Sequence, residues 1–118
     1  MDRREELRRR VREFTRARGW GRFHAPKNLA MAMVKEAAEV VEIFQWLTPA
    51  QSRRLSAPAR AALADELADT YVYLSMLADA CGVDLVEAAL AKMDKNEKKY
   101  PAPHVRGVTP PRRKVRLG

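Results

Sequence analysis

Cysteine, glycine and long apolar runs are all scarce in this sequence, and each shortage closes off a class of protein. The single cysteine, Cys81, has no second thiol to pair with, so no intrachain disulfide framework is available. Met1 leads into Asp2, Arg3, Arg4, Glu5 and Glu6 where a secretory leader needs an apolar stretch, and the chain reads as cytoplasmic. No apolar run approaches the roughly 18 residues that suggest a membrane span, so no membrane partner is expected. Glycine occupies only 5 positions and β-branched residues nowhere alternate with polar ones, which leaves little basis for strands.

What is present favours helix. Ala, Leu, Glu, Arg and Lys dominate, and the expected fold is all-α. The 118 residues make one domain, and folding would remove about two thirds of the unfolded surface. The formal net charge of +8 attracts anions, and its placement matters more than its sum. From Pro101 onward the chain carries Arg106, Arg112, Arg113, Lys114 and Arg116 with no acidic residue, whereas the middle holds most of the carboxylates. An acidic centre with basic ends suggests a cation site beside arms that attract polyanions.

Four helices are predicted. The first runs from Asp2 to Arg18, with Leu7, Val11 and Phe14 as a narrow apolar stripe, and ends at Gly19-Trp20-Gly21. The second begins at Pro26, whose missing N–H suits a first turn, and runs to about Leu47. A polar connection from Thr48 to Leu55 holds at most one helical turn. Ser56 caps a third helix that reaches Cys81, where Gly82 supplies a left-handed stop. Asp84 with Glu87 resembles a capping box opening a fourth helix to about Lys99. Pro101, Pro103, Pro110 and Pro111 speak against regular helix beyond it, so residues 1–100 are read as the domain and 101–118 as a basic tail.

Turning 100° per residue along the second helix aligns Leu29, Ala32, Met33, Val40, Ile43 and Leu47, with Glu36 at the centre of the stripe and Glu39 at its edge. The third helix repeats the pattern: Ala59, Ala62, Leu63, Thr70, Tyr73 and Leu77 surround Glu66, with Asp69 at the edge. A single acidic pair at this spacing is ordinarily a solvated helix face. Two pairs, each starting where a leucine belongs, point instead to carboxylates converging in an apolar interior, where ionised groups need a counter-charge. No Arg or Lys lies inside either stripe to supply it. A hard divalent cation does, and oxygen ligation suits Mg²⁺, with Mn²⁺ as an alternative. Glu42 and Asp65 fall off the stripes and are expected in solvent or behind the ligands.

The second helix has a further apolar face of Ala30, Val34, Ala37, Val41 and Phe44. A helix apolar over most of its circumference is buried on two sides, which implies at least a homodimer with this helix at its centre. On the fourth helix Lys92, Lys95, Asn96 and Lys99 share one side. These are ordinarily a solvated face, but beside the carboxylates Lys92 would meet phosphate. Trp20, His24, Trp46 and Tyr73 are candidates for a base pocket, although each alone is more often packing.

Four blocks then stand out in order: Phe23-His24-Ala25-Pro26-Lys27-Asn28-Leu29; Glu36-Ala-Ala-Glu39 continuing to Phe44-Gln45-Trp46; Glu66-Leu-Ala-Asp69 continuing to Tyr73; and Lys92-Met93-Asp94-Lys95-Asn96 with Tyr100-Pro101. Over about residues 5 to 101 the chain resembles the MazG-like nucleotide pyrophosphohydrolases, and among them most the dCTP pyrophosphatase group. The resemblance implies a four-helix bundle assembled as an entwined homodimer or a homotetramer made of two dimers. It also implies Mg²⁺ dependence and cleavage of a dNTP to dNMP and pyrophosphate. It assigns the metal to Glu36, Glu39, Glu66 and Asp69, and the nucleotide pocket to Trp20, His24, Trp46, Tyr73, Lys92, Asn96 and Tyr100. Many relatives carry an acidic residue immediately before the position of Glu36; here it is Lys35, which fits the dCTP-type subgroup.

By position Glu39 or Glu66 would accept a proton from the attacking water. Two other readings compete. A phosphoribosyl-ATP pyrophosphohydrolase would lack the aromatic pocket that Trp20 and Trp46 suggest. A basic helical nucleic-acid-binding module would account for the charge but leave the central carboxylates unexplained, so nucleic acid is an unlikely partner.

Overall fold

The computed structural model describes residues 2–108, and among these every regular element is helical. The order is α1 (Arg3–Ala17), a 3₁₀ turn (Gly21–Phe23), α2 (Pro26–Phe44), α3 (Pro49–Ser52), α4 (Ala57–Ala80), α5 (Leu85–Lys99) and α6 (Ala102–Val105). None of the described helices is long and apolar enough to cross a membrane. The chain divides into two compact units, one through Val83 and one from Asp84.

In the first unit the helix limits follow from local chemistry. Asp2 caps α1 by accepting from the Arg4 N–H at 2.9 Å. The helix closes on Gly19 at φ 62°, with Trp20 N–H donating to Thr15 O and Gly19 N–H to Arg16 O. Gly82, at φ 68°, ends α4 in the same way: Val83 N–H reaches Ala78 O and Gly82 N–H reaches Asp79 O. Pro26 occupies the first turn of α2, and Ser56 caps α4 through the Ala59 N–H.

The second helix stops at Phe44, three residues short of the expected Leu47. Leu47 N–H turns back to Phe44 O, and Thr48 must be extended (φ −71°, ψ 161°) to cap α3. Thr48 and Gln51 form a reciprocal capping box around that single turn, so the connection expected between Thr48 and Leu55 does contain one.

The packing of this unit is α2 against α4. Leu29 is the one residue fully buried among those described, at 2% exposure, while the rest of its stripe (Ala32, Met33, Val40 and Ile43) is half-buried and Leu47 is exposed. On α4, Leu63, Thr70, Tyr73 and Leu77 are half-buried. The second apolar face of α2 remains largely open: Val34 is 63% exposed and Val41 58%. Helix α1 contributes no buried residue and reaches α4 through charge, because Arg8 and Arg12 both hold Asp79.

In the second unit Asp84 caps α5 by accepting from the Glu87 N–H, which is one half of the expected box. Tyr100 ends α5, its N–H donating to Asn96 O. The expectation that prolines exclude helix beyond Tyr100 is corrected by α6. Pro101 is its N-cap and Pro103 sits in its first turn, where a missing N–H costs nothing. Arg106 follows it, and the expected basic residues Arg112, Arg113, Lys114 and Arg116 lie outside the described residues.

Candidate functional site

One carboxylate oxygen each from Glu36, Glu39 and Glu66 lie within 4.8 Å of one another. The helical spacing brings this about: Glu36 and Glu39 are three residues apart on α2, and Glu66 projects from the apolar stripe of α4 that faces it. Burial decides their electrostatics. The side chain of Glu36 is 12% exposed, and the Oε2 atoms of Glu36 and Glu66 are shut off from solvent with no hydrogen-bond partner. Orphaned buried oxygens of this kind need a protein donor, a proton or a cation.

The three groups resolve the repulsion by dividing protonation among themselves. Burial, then hydrogen bonding with Glu39 and its charge, push the Glu36 carboxyl above its usual range, and the Asp69 charge adds to this. A hydrogen bond with Glu39, reinforced by burial, pushes Glu66 up to about 7. Glu39 receives the charge: its hydrogen bonds with Glu66 and Glu36 hold it below the ordinary carboxylate range. Asp69 is exposed and stands outside the group of three, near enough for its charge to act on Glu36. Glu42 and Asp65 are exposed.

No cation lies within the two stripes, but one reaches the cluster from beside them. Lys35, which lies off the apolar stripe of α2, brings its Nζ to 3.5 Å from Glu39 Oε1 and 3.9 Å from Glu36 Oε1. The signal was available, since Lys35 and Glu39 are four residues apart on one helix. The Arg8–Asp79–Arg12 cluster was also missed.

The aromatic residues are more scattered. Trp20 is 45% exposed and meets the Phe14 ring edge-on at 5.7 Å. His24 is half-buried at the end of the 3₁₀ turn. Trp46 stands 86% exposed after α2, whereas Tyr73 is half-buried on the α4 stripe two turns beyond Glu66. Lys92, Asn96 and Tyr100 belong to the second unit: Lys92 is exposed, Asn96 and Tyr100 are half-buried, and the Lys99 ammonium lies 5.2 Å from the Tyr100 ring centre. A hollow of about 680 Å³ opens beside the α2–α4 connection, lined by Leu47, Gln51, Arg53, Arg54, Leu55 and Ala59 among others, with none of the carboxylates in its wall.

An all-helical protein in which carboxylates from two packed helices converge on one point is the class these observations define. The MazG-like family model matches residues 31–109, and the chain belongs to that family. It is 46% identical over 100 residues to dCTP pyrophosphatase 1 of Homo sapiens, covering 83% of this chain and 59% of that protein. With dCTP pyrophosphatase 1 of Mus musculus it shares 43% over 105 residues, 87% of this chain and 62% of that one. The chain thus spans about three fifths of the length of the curated relatives it matches. The crystal structure of a pyrophosphatase from Archaeoglobus fulgidus superposes with a TM-score of 0.80 at 39% identity, over 86% of this chain and 94% of that one.

Proposed function

We propose that this chain hydrolyses a deoxynucleoside triphosphate, dCTP or a close relative of it, to the monophosphate and pyrophosphate, as a cytoplasmic enzyme that clears nucleotides. The observation that carries the reading is the convergence of Glu36, Glu39 and Glu66 with two buried oxygens lacking any partner. Membership of the MazG-like family and the names of the dCTP pyrophosphatase relatives supply the substrate class.

The donor set fits a hard divalent ion, Mg²⁺ or Mn²⁺: all-oxygen, anionic and partly desolvated. Glu36, Glu39 and Glu66 would hold it, with Asp69 at the margin as a fourth carboxylate. When bound, the ion supplies charge neutralisation at the triphosphate and activation of a water for attack on phosphorus. Glu39 or Glu66 would take that water's proton.

Trp20, His24, Trp46, Tyr73, Lys92, Asn96 and Tyr100 are the residues proposed to bind the nucleotide in this reading. The open face of α2 around Val34 and Val41 meets a second copy, giving a homodimer or homotetramer. A panel of triphosphates assayed with added inorganic pyrophosphatase identifies the substrate. Ion-exchange separation of a dCTP digest should then give dCMP and pyrophosphate. A primary dCDP peak, or no hydrolysis of any triphosphate with Mg²⁺ or Mn²⁺, would overturn the proposal.

A further inference from the structure

Lysine at position 35 is out of character with its surroundings. Its side chain is 72% exposed and free to point into water, yet its ammonium lies over the two carboxylates that α2 sends into the cluster. It contacts Oε1 of Glu36, a side chain only 12% exposed whose other oxygen is buried and unpartnered. It also contacts Oε1 of Glu39, at 3.5 Å. Among the described residues no other cation pairs with any of the three carboxylates.

A divalent ion entering this ligand set meets an oxygen pair already partly neutralised, and a positive charge within a few ångströms. We propose that Lys35 is the resident counter-cation of the cluster and competes with the divalent ion for Glu39 and Glu36, so that this residue sets how tightly the metal is held. The inference rests on the reading of Glu36, Glu39 and Glu66 as metal ligands. Lys35 is built for the part. Its stem is flexible and its head is compact and well hydrated, so it leaves for solvent at low cost. Competition therefore weakens metal binding without blocking it. In the metal-free protein the same contacts relieve the repulsion among the carboxylates. Lys35 is a positioning and affinity-setting residue here, with no contact to a reacting atom.

The test uses Mn²⁺ alone, titrated calorimetrically into the metal-free full chain without nucleotide. Lys35→Met keeps the length of the stem and removes the charge. Lys27→Met, two turns earlier on α2 at an exposed position, controls for the change in net charge. Lys35→Met should bind Mn²⁺ about five-fold more tightly at low salt, the worth of the displaced ion pair, two unit charges roughly 4 Å apart in water, and the advantage should shrink as salt rises. Its metal-free melting temperature should fall below wild type, and saturating Mn²⁺ should close the gap. Lys27→Met should change neither.

Equal or weaker Mn²⁺ binding by Lys35→Met, or equal tightening by Lys27→Met, overturns the proposal while leaving the metal site standing. Wild-type protein that binds no Mn²⁺ overturns the site and this inference together. If Lys35→Met does not fold, Lys35→Gln answers by the same criteria, and failure of both neutral variants to fold gives Lys35 a structural role and ends the proposal.

Discussion

Glu39 on α2 and Glu66 on α4 bring carboxylate oxygens within 4.8 Å of each other across the helix pair, and their acidities are driven apart, Glu39 held below the usual carboxylate range and Glu66 pushed up to about 7. Two carboxylates that cannot both ionise cheaply have divided the roles, one charged and one protonated.

That division has a consequence for stability. Between the ordinary carboxylate range and about pH 7, the folded chain keeps a proton on Glu66 that the unfolded chain has released. The folded state binds more protons there, so stability falls as pH rises through the window. Glu36, also raised, acts in the same sense, whereas the lowered Glu39 makes a contribution that is lost as pH falls. The metal-free protein should therefore melt at lower temperature near pH 8 than near pH 6, and Glu66→Gln should flatten that slope. Excess Mn²⁺ should invert it, because metal binding requires deprotonated ligands. A wild-type melting temperature that rises across this window in chelator would contradict the shared proton.

Glu36→Gln and Asp69→Asn separate the buried ligand from the exposed one. Glu36→Gln should cut turnover by more than about 100-fold while preserving or raising the metal-free melting temperature, since it removes a buried charge with an orphaned oxygen. Asp69→Asn should also abolish turnover if it completes the ligand set, but with little effect on stability, because Asp69 is exposed. Steady-state rates and thermal melts on both variants decide it. Near-wild-type activity in Glu36→Gln would remove the carboxylate cluster from the mechanism, and near-wild-type activity in Asp69→Asn would reduce the ligand set to three.

The tie between α1 and α4 is ionic. Arg8 grips Asp79 through Nε at 3.1 Å from Oδ2 and Nη2 at 2.6 Å from Oδ1, and Arg12 Nη2 adds a third contact at 3.0 Å. Burial works to raise the Asp79 pKa, but the hydrogen bonds and charges of the two arginines outweigh it and hold the carboxyl low. The contribution is thus present above the normal aspartate range and lost as pH falls through the lowered pKa. Asp79 is partly exposed, so the effect is modest: Asp79→Asn should lower the melting temperature by roughly 2–4 °C at neutral pH. The difference from wild type should vanish in strong acid and shrink at high salt. An unchanged melting temperature at neutral pH and low salt would mean that α1 is held by something else.

How much of this was legible in the sequence depends on how local the cause was. Pro26, Ser56, Gly82 and Asp84 announce helix ends through their own backbone preferences, and the limits they suggest hold. The paired carboxylates were legible because 100° per residue places Glu36 and Glu66 among leucines and alanines without reference to the rest of the chain. The early stop of α2 at Phe44 was hidden by an apolar Trp46 and Leu47 that continue the pattern, while Thr48 requires an extended backbone for the next turn. The clamp on Asp79 joins residues 71 and 67 positions apart, and no periodicity reports such a pairing. Lys35 lies between these cases: its spacing to Glu39 was visible, but its choice of carboxylate over water is a matter of side-chain geometry.

The open face of α2 carries the last prediction. Val34 and Val41 lie one above the other along the helix at 63% and 58% exposure, and Met31, at 62%, precedes them by one turn. Each would give up roughly 25 cal/mol for every Å² of apolar surface withdrawn from water, and only Leu29 is fully buried among the described residues, so the free chain has little core of its own. A second copy presenting the same face satisfies both needs through a two-fold axis. Light scattering at micromolar concentration should report a dimer or tetramer, and a 13.4 kDa species would contradict it. Val41→Glu should then dissociate the assembly and lower the melting temperature steeply, because obligate homo-oligomers often have no stable folded monomer. Val41→Glu protein that stays oligomeric and melts like wild type would place the interface on another surface and leave the α2 face without its proposed partner.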